Sequence, residues 1–323
     1  MLILLCGRET AAQVAREPDD PLDALTFVDP RLRPAPAGAT FDGAAREVEP
    51  EVQAGWDDFL ADADGSWKSY VDLRTGRIDF FEGAGLPWIS GAGNLSAGPA
   101  GKAPDLGSLE AMARAFLPQV AAMMGIEPAE LVLAQERSGQ VAEHLWLVDF
   151  DVQRDGLRVE GARVVFRINN GNLIQLGTEN LPSPGTKTPI EKVGRKEALA
   201  ILADYVGGFS AADHFVDGGS ARLLPLAARL GFDVGQGRGL VRVWELVFRR
   251  RGYIGTWRAR IDATTGELLE FRDVNEYAQA TGGVYPISYI FADETLRPMP
   301  FVDLSPGGFT NSAGQFSYGG GSV

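Results

Sequence analysis

The chain has 323 residues, 45% of them apolar, and 30 Lys and Arg stand against 43 Asp and Glu for a net charge of −13. That length holds two or three domains with cores of their own, while the acidic balance excludes a nucleic-acid-binding surface, which needs clustered cations to displace counterions. A single cysteine excludes an intrachain disulfide framework, and no apolar run approaches the length that crosses a bilayer as a helix.

Residues 1–65 carry fourteen acids against five bases and no sustained periodicity. With Pro30, Pro34 and Pro36 they read as an acidic, largely irregular leader with one short amphipathic piece at Val52–Leu60. Leu2–Leu5 before Cys6 could be the tail of a clipped signal sequence, but the apolar run is short and lacks a basic start. Trp67–Phe81 then reads strand, tight turn, strand. Asp72 can accept from backbone N–H groups ahead of it, Thr75 precedes the turn glycine, and Gly76 supplies the positive φ of a bulged hairpin. Gly83–Gly107 is a Gly/Pro/Ala-rich loop anchored by Trp88 and Ile89.

Ser108 is a helix N-cap, and apolar residues from Leu109 to Met124 recur at helical spacing until Gly125. Three strands follow at Glu143–Gln153, Arg158–Asn169 and Asn172–Gly177, the last two joined by the hairpin signal Asn170-Gly171. Pro182, Pro184, Gly185 and Pro189 mark a linker. Arg195–Val206 is an amphipathic helix, and the segment Ala221–Val234 leads to Leu240–Phe248, a strand with Trp244, Leu246 and Phe248 on one face. Trp257–Phe271 repeats the Trp67–Phe81 pattern 190 positions later, with Asp262, Thr265 and Gly266 in the places of Asp72, Thr75 and Gly76. A repeated unit points to two related modules rather than one large domain. The fold class expected is therefore α+β, two antiparallel-sheet-plus-helix modules in tandem. The modules are 66–182 and 187–278, after a leader at 1–65 and before a tail at 279–323 that reads as the start of a truncated downstream domain.

Trp146–Pro182 resembles the fungalysin/thermolysin propeptide module on the marks Gly156, Val159, Gly161, Ala162 and Gly171, with Asp151 where that family often has Gln. Lys187–Tyr277, through Asp262, Thr265 and Gly266, resembles a PepSY module. The resemblance implies the pro-region of a secreted zinc metallopeptidase, extracytoplasmic, acting in cis on its cognate catalytic domain as folding template and temporary inhibitor. The zinc is expected only in that catalytic domain, outside this chain.

The residues themselves promise no catalytic, metal-binding or cofactor-binding centre. A zincin needs His-Glu-x-x-His, and the two histidines, His144 and His214, stand seventy residues apart. Asp149, Asp151 and Asp155 offer an all-carboxylate calcium site against solvated strand acids as the plainer reading. Gly235-x-Gly237-x-Gly239 leads into a strand, where phosphate capture wants a helix start. Arg249, Arg250 and Arg251, with Arg242, Arg258 and Arg260 nearby, are the basic concentration expected to dock an acidic surface, against a solvated hairpin tip. Two other classes stay open: a stand-alone extracytoplasmic PepSY-type binding or peptidase-inhibitor module, and a hydrolase using carboxylates.

Overall fold

The computed structural model describes residues 20–32, 40–42, 48–89, 105–227, 238–253, 255–279, 281–284, 295–298 and 315–318. The start of the acidic leader, most of the loop at 83–107 and most of the tail at 279–323 lie outside the described residues. So does the Gly235-x-Gly237 part of the glycine run.

The first half is a meander with two helices on one face. β7 (Leu145–Arg154), β8 (Leu157–Asn169) and β9 (Asn172–Glu179) form because their sequences alternate, burying Val148, Phe150, Val164, Phe166, Ile168, Leu173 and Leu176 on the core side. Both hairpins close on turns whose two central residues have positive φ, Asp155-Gly156 (50° and 75°) and Asn170-Gly171 (48° and 73°), the twist that matches antiparallel strands. β3 (Trp67–Asp72) and β4 (Arg77–Pro87) attach through β4 to β9. On the outer side of β7 lie the short strands β5 (Leu131–Leu133) and β6 (Gly139–Ala142). α1 (Pro50–Asp62) and α2 (Leu106–Met124) close the core with Val52, Phe59, Leu109, Leu117, Val120 and Met123. The α2 cap falls three residues earlier than the sequence suggests. Asp105 accepts from the Ser108 N–H at 2.8 Å, and Ser108 accepts from the Asp105 N–H at 3.1 Å, so Ser108 is the return half of a capping box.

The second half packs α3 (Arg195–Tyr205) on a sheet of β10 (His214–Ala227), β11 (Arg238–Arg249), β12 (Thr256–Asp262) and β13 (Leu268–Asp273). Ala198, Leu202, Leu246, Phe248, Trp257, Ile261 and Phe271 form its core. β10 begins seven residues before the segment read from Ala221, because bulges between Phe215 and Asp217 and between Gly218 and Ser220 erase the strand alternation there. Outside these halves, Glu276–Gln279 pairs with Gln315–Tyr318 and Thr281–Val284 with Thr295–Pro298.

The halves meet in one hydrogen-bonded sheet, joined where β10 runs parallel to β8 at a single register pair, Leu223 with Val159. Leu223 and Leu240 of the second half belong to the first half's core cluster. The ends of the ten-strand path are β1 (Phe27–Val28), paired to β13, and β2 (Thr40–Asp42), paired to β3. Val28 and Thr40 are only twelve residues apart, a reach of roughly 40 Å at full extension. Pro30–Leu32 is wound as a 3-10 turn, which shortens that reach. Nine strand spacings laid flat come to about 43 Å, so the sheet curls to bring its outer strands together.

The two Asp-x-x-Thr-Gly hairpins share more than their letters. Each places the glycine N–H on the Asp carbonyl at 2.8 Å. Each also carries a bulge at the same offset, between Tyr70 and Val71 and between Arg260 and Ile261. They enter the sheet differently: the second strand of the first hairpin faces inward, through β4 to β9, whereas the first strand of the second does, through β12 to β11. Gly76 and Gly266 sit at φ 67° and 79°, where an alanine costs about 1–2 kcal/mol. A Cβ on Gly76 meets nothing within 4 Å, but one on Gly266 meets Ile201 Cδ1 at 3.3 Å. Gly266→Ala is therefore expected to lower the urea midpoint more than Gly76→Ala, and equal shifts would contradict the difference in packing.

Candidate functional site

The first group of interest gathers around Arg238 at the start of β11. Its side chain is 8% exposed. It donates to Asn180 Oδ1 at 2.5 Å and to Asp72 Oδ2 at 3.4 Å. Its backbone exchanges bonds with Ser183, N–H to Oγ at 2.7 Å and C=O from N–H at 2.9 Å. Asn180, at φ 51°, in turn donates to the Gly161 carbonyl at 3.1 Å. A chain of polar contacts thus runs from the first Asp-x-x-Thr-Gly turn through Arg238 and Asn180 to Gly161, at the irregular stretch of β8. It borders a cleft of about 270 Å³ lined by Arg74, Arg77, Glu179 and Pro184 among others.

The sequence-predicted turn residues take structural parts in this arrangement. Asp72 accepts from Arg74 through its N–H at 3.0 Å, Nε at 2.9 Å and Nη2 at 2.8 Å. Asp262 accepts from the N–H groups of Thr264 at 2.6 Å and Thr265 at 3.2 Å. Thr75 and Thr265 accept from the N–H groups of Arg77 and Glu267, at 3.3 and 3.2 Å. Gly156, Gly161 and Gly171 all have positive φ. Val159 is fully buried at the joint between the halves. These residues form turns and a seam and do not converge on one point. Arg238 itself was hidden in the sequence by its glycine neighbours, Gly237 and Gly239.

A second group lies on the face of β11–β13 that α3 does not cover. Trp257, Ala259 and Ile261 point into the α3 core, so Arg258 and Arg260 point the other way. Arg260 is 6% exposed. It donates to Glu245 at 2.8 and 2.9 Å, to Glu270 at 3.1 Å and to Glu160 of β8 at 2.5 and 2.6 Å. Arg222 adds a bond to Glu245 at 2.7 Å, and Arg258 and Arg272 add bonds to Glu270 at 2.6 and 2.5 Å. Burial alone would push the Glu270 carboxyl up, but Arg260, Arg258 and Arg272 outweigh it and hold the pKa below the usual glutamate value. Burial likewise works against the charge of Arg260, and Glu160, Glu270 and Glu245 overcome it and raise its pKa. The cluster is a fixed set of ion pairs that also ties Glu160, from the first half, to the second.

The arginines expected to dock an acidic surface separate in space. Arg250 donates to the carbonyls of Gly208 at 3.0 Å and Val206 at 3.5 Å, closing the C-terminal end of α3. Arg249 donates to Thr256 Oγ1 at 3.0 Å, and Arg242 to Glu191 at 2.5 Å. Arg249 and Arg251 are exposed, and Arg250 and Arg251 border an open cleft of about 480 Å³ with Phe209, Asp213 and Tyr253.

Among the described residues no group of three or more His, Cys, Asp and Glu is placed to hold a metal ion. The acids considered for calcium are taken by arginines. Arg167 and Arg163 lie 2.5 and 3.9 Å from Asp149, and Arg137 and Arg158 lie 2.5 and 3.1 Å from Asp151. Asp155 occupies its hairpin turn. No helix among the described residues is long and apolar enough to cross a membrane.

No family model matches the chain, and no curated protein matches it. Among solved structures it is similar to the Bacillus megaterium YpeB C-terminal domain, with 16% identity and a TM-score of 0.29 over 72% of this chain and all of that one.

Proposed function

We propose that this chain is a non-catalytic pro-region that folds and temporarily restrains the catalytic domain of a secreted zinc metallopeptidase. The observation that supports it is the Trp146–Pro182 motif, whose glycines at 156 and 171 sit in the left-handed hairpin turns of the β7–β9 meander and whose Gly161 takes a positive φ at the irregular stretch of β8. Those three glycines are among the five positions that carry the resemblance, with Val159 and Ala162, and a positive φ is a backbone conformation that favours glycine. A preformed antiparallel sheet suits a template, since a partner rich in non-local contacts folds slowly unaided. An extended segment laid along a cleft is a common way for one protein to block another's peptide site. Zinc belongs to the peptidase in this reading, and no residue of this chain binds it.

The test begins by reading the coding sequence past Val323; a His-Glu-x-x-His found there would identify the cognate domain. That domain, expressed apart, is expected to refold faster in the presence of this chain and to lose peptide hydrolysis when it is added. A cognate domain whose refolding and activity both ignore the chain would falsify the proposal. A reading frame that stops, combined with inhibition of a peptidase in trans, would move the assignment to the stand-alone inhibitor class.

A further inference from the structure

We propose that the edge of the second half, between α3 and β13, is a binding groove for an extended acidic peptide, and that residues 20–32 are its resident ligand. This goes beyond the pro-region reading and does not depend on it.

Residues 20–32 belong by sequence to the acidic leader, yet they bind more than 150 positions away. Their contacts are of the kinds that proteins use to capture peptides: strand addition to a sheet edge, with pockets for single side chains. Phe27 and Val28 pair with Phe271 and Glu270 on the outer edge of β13, and the Asp29 N–H continues the pairing to the Leu269 carbonyl at 2.8 Å. Ahead of that strand, Leu22 is 2% exposed within the core cluster of Ala198, Leu202 and Phe271. Asp20, also 2% exposed, accepts from the buried indole N–H of Trp257 at 3.0 Å. The Leu25 carbonyl accepts from the Tyr205 hydroxyl of α3 at 2.6 Å. Beyond the strand, Leu32 packs on the opposite face of the sheet, and Arg31 bridges Asp29 and Glu267 at 2.6 and 3.3 Å. The segment therefore wraps the edge of β13, with one anchor on each face.

Two features mark it as a ligand rather than an ordinary core element. Its backbone joins the sheet at only two register pairs, whereas β10 and β11 share twelve. The pattern it presents is short and local: an acid, then Leu two residues on, then an apolar pair five residues further. The class of ligand follows from the groove. The indole N–H asks for a carboxylate, the core site asks for a branched aliphatic side chain, and the β13 edge asks for an extended backbone.

The test uses the full chain with a site-specific protease sequence inserted between Gly38 and Ala39. Cutting leaves residues 20–32 held without a covalent link, and a fluorescein-labelled synthetic peptide of residues 18–34 is the probe. Under native conditions the label is expected to exchange into the cut protein at one site, read by anisotropy, with circular dichroism of the body unchanged. The peptide carrying Leu22→Ala should compete at least roughly thirtyfold less well, the low end of the loss for removing a buried leucine side chain. A label that enters only at urea concentrations that unfold the body would overturn the proposal, as would a Leu22→Ala peptide that competes equally. In the uncut chain, native-state hydrogen exchange gives an independent reading. The Asp29 amide, bonded to the Leu269 carbonyl, should open with less urea dependence than those of β11, and protection equal to global stability would overturn the proposal.

Discussion

Replacing Arg260 with methionine is expected to cost about 3–5 kcal/mol of folding stability at neutral pH, the range for breaking a buried ion pair by removing one partner. Methionine fills much of the volume, so the loss is mainly electrostatic. Glu245 and Glu270, 6% and 2% exposed, stay buried and lose the guanidinium that faces both. Arg222 stays bonded to Glu245, and Arg258 and Arg272 to Glu270, which holds the cost within that range. The pH dependence fixes the cause. In the native protein the Glu270 pKa lies below its ordinary 4.5, so its contribution is present above pH 4.5 and disappears as pH falls through the lowered value. Without Arg260, burial of Glu270 is opposed by less positive charge, and its folded pKa moves up. An acid with a raised folded pKa favours the folded state at low pH and penalises it as pH rises through that pKa. The gap between native and Arg260→Met proteins should therefore be widest near neutrality and narrower at about pH 4. Urea unfolding at the two pH values checks it, and a gap that does not change with pH would show that lost packing is the cause. Adding Glu245→Gln and Glu270→Gln to Arg260→Met should recover part of the stability, because the stranded charges are then gone.

Local pattern made the meander, α2, α3 and the repeated hairpin legible in the sequence. Their signals are short: alternation along β7–β9, a positive-φ pair at Asn170-Gly171, and Asp-x-x-Thr-Gly with its turn glycine. What stayed hidden is non-local. Leu22 is one apolar residue among prolines and acids, and nothing near it tells that its surroundings are Leu202 and Phe271, about 180 and 250 residues on. Arg258 and Arg260 occupy the alternate positions of β12 that a half-exposed strand gives to solvent. They are covered because acids of β8, β11 and β13 meet there, a convergence that only the sheet order creates. The parallel joint of β8 and β10 has no local signature, since it rests on one register pair between two strands that each look complete without it. Of the three docking arginines, adjacency in sequence suggested a common surface, but Arg250 turns back to the end of α3.

The two tryptophans that open the repeated hairpins test how far the repeat extends into three dimensions. Trp257 is fully buried and stacks on Phe271, with ring centroids 5.1 Å apart and planes 6° from parallel. Trp67 is only partly buried and meets Phe81 at 5.9 Å and 67°. Its indole N–H reaches the Asp64 carbonyl near the surface, at 3.1 Å. Trp257→Ala should thus cost about 3–5 kcal/mol, the range for deleting a buried aromatic side chain. Trp67→Ala should cost roughly 1–2 kcal/mol, in proportion to the smaller apolar area it removes from water. Trp257→Phe separates packing from the polar contact, because it keeps an aromatic ring near Phe271 and removes the donor to Asp20. The carboxylate oxygen left in the interior accounts for about 1–3 kcal/mol. Denaturation followed by circular dichroism, which does not need the missing indole, reads all three. Equal costs for Trp257→Ala and Trp67→Ala would mean that the hairpins sit in like surroundings after all. The expected inequality follows from what covers them: α3 and the docked segment 20–32 over Trp257, and the end of α1, with Phe59 edge-on at 5.1 Å, over Trp67. One local motif is thereby set in two environments, and the difference in stability measures the environment rather than the motif.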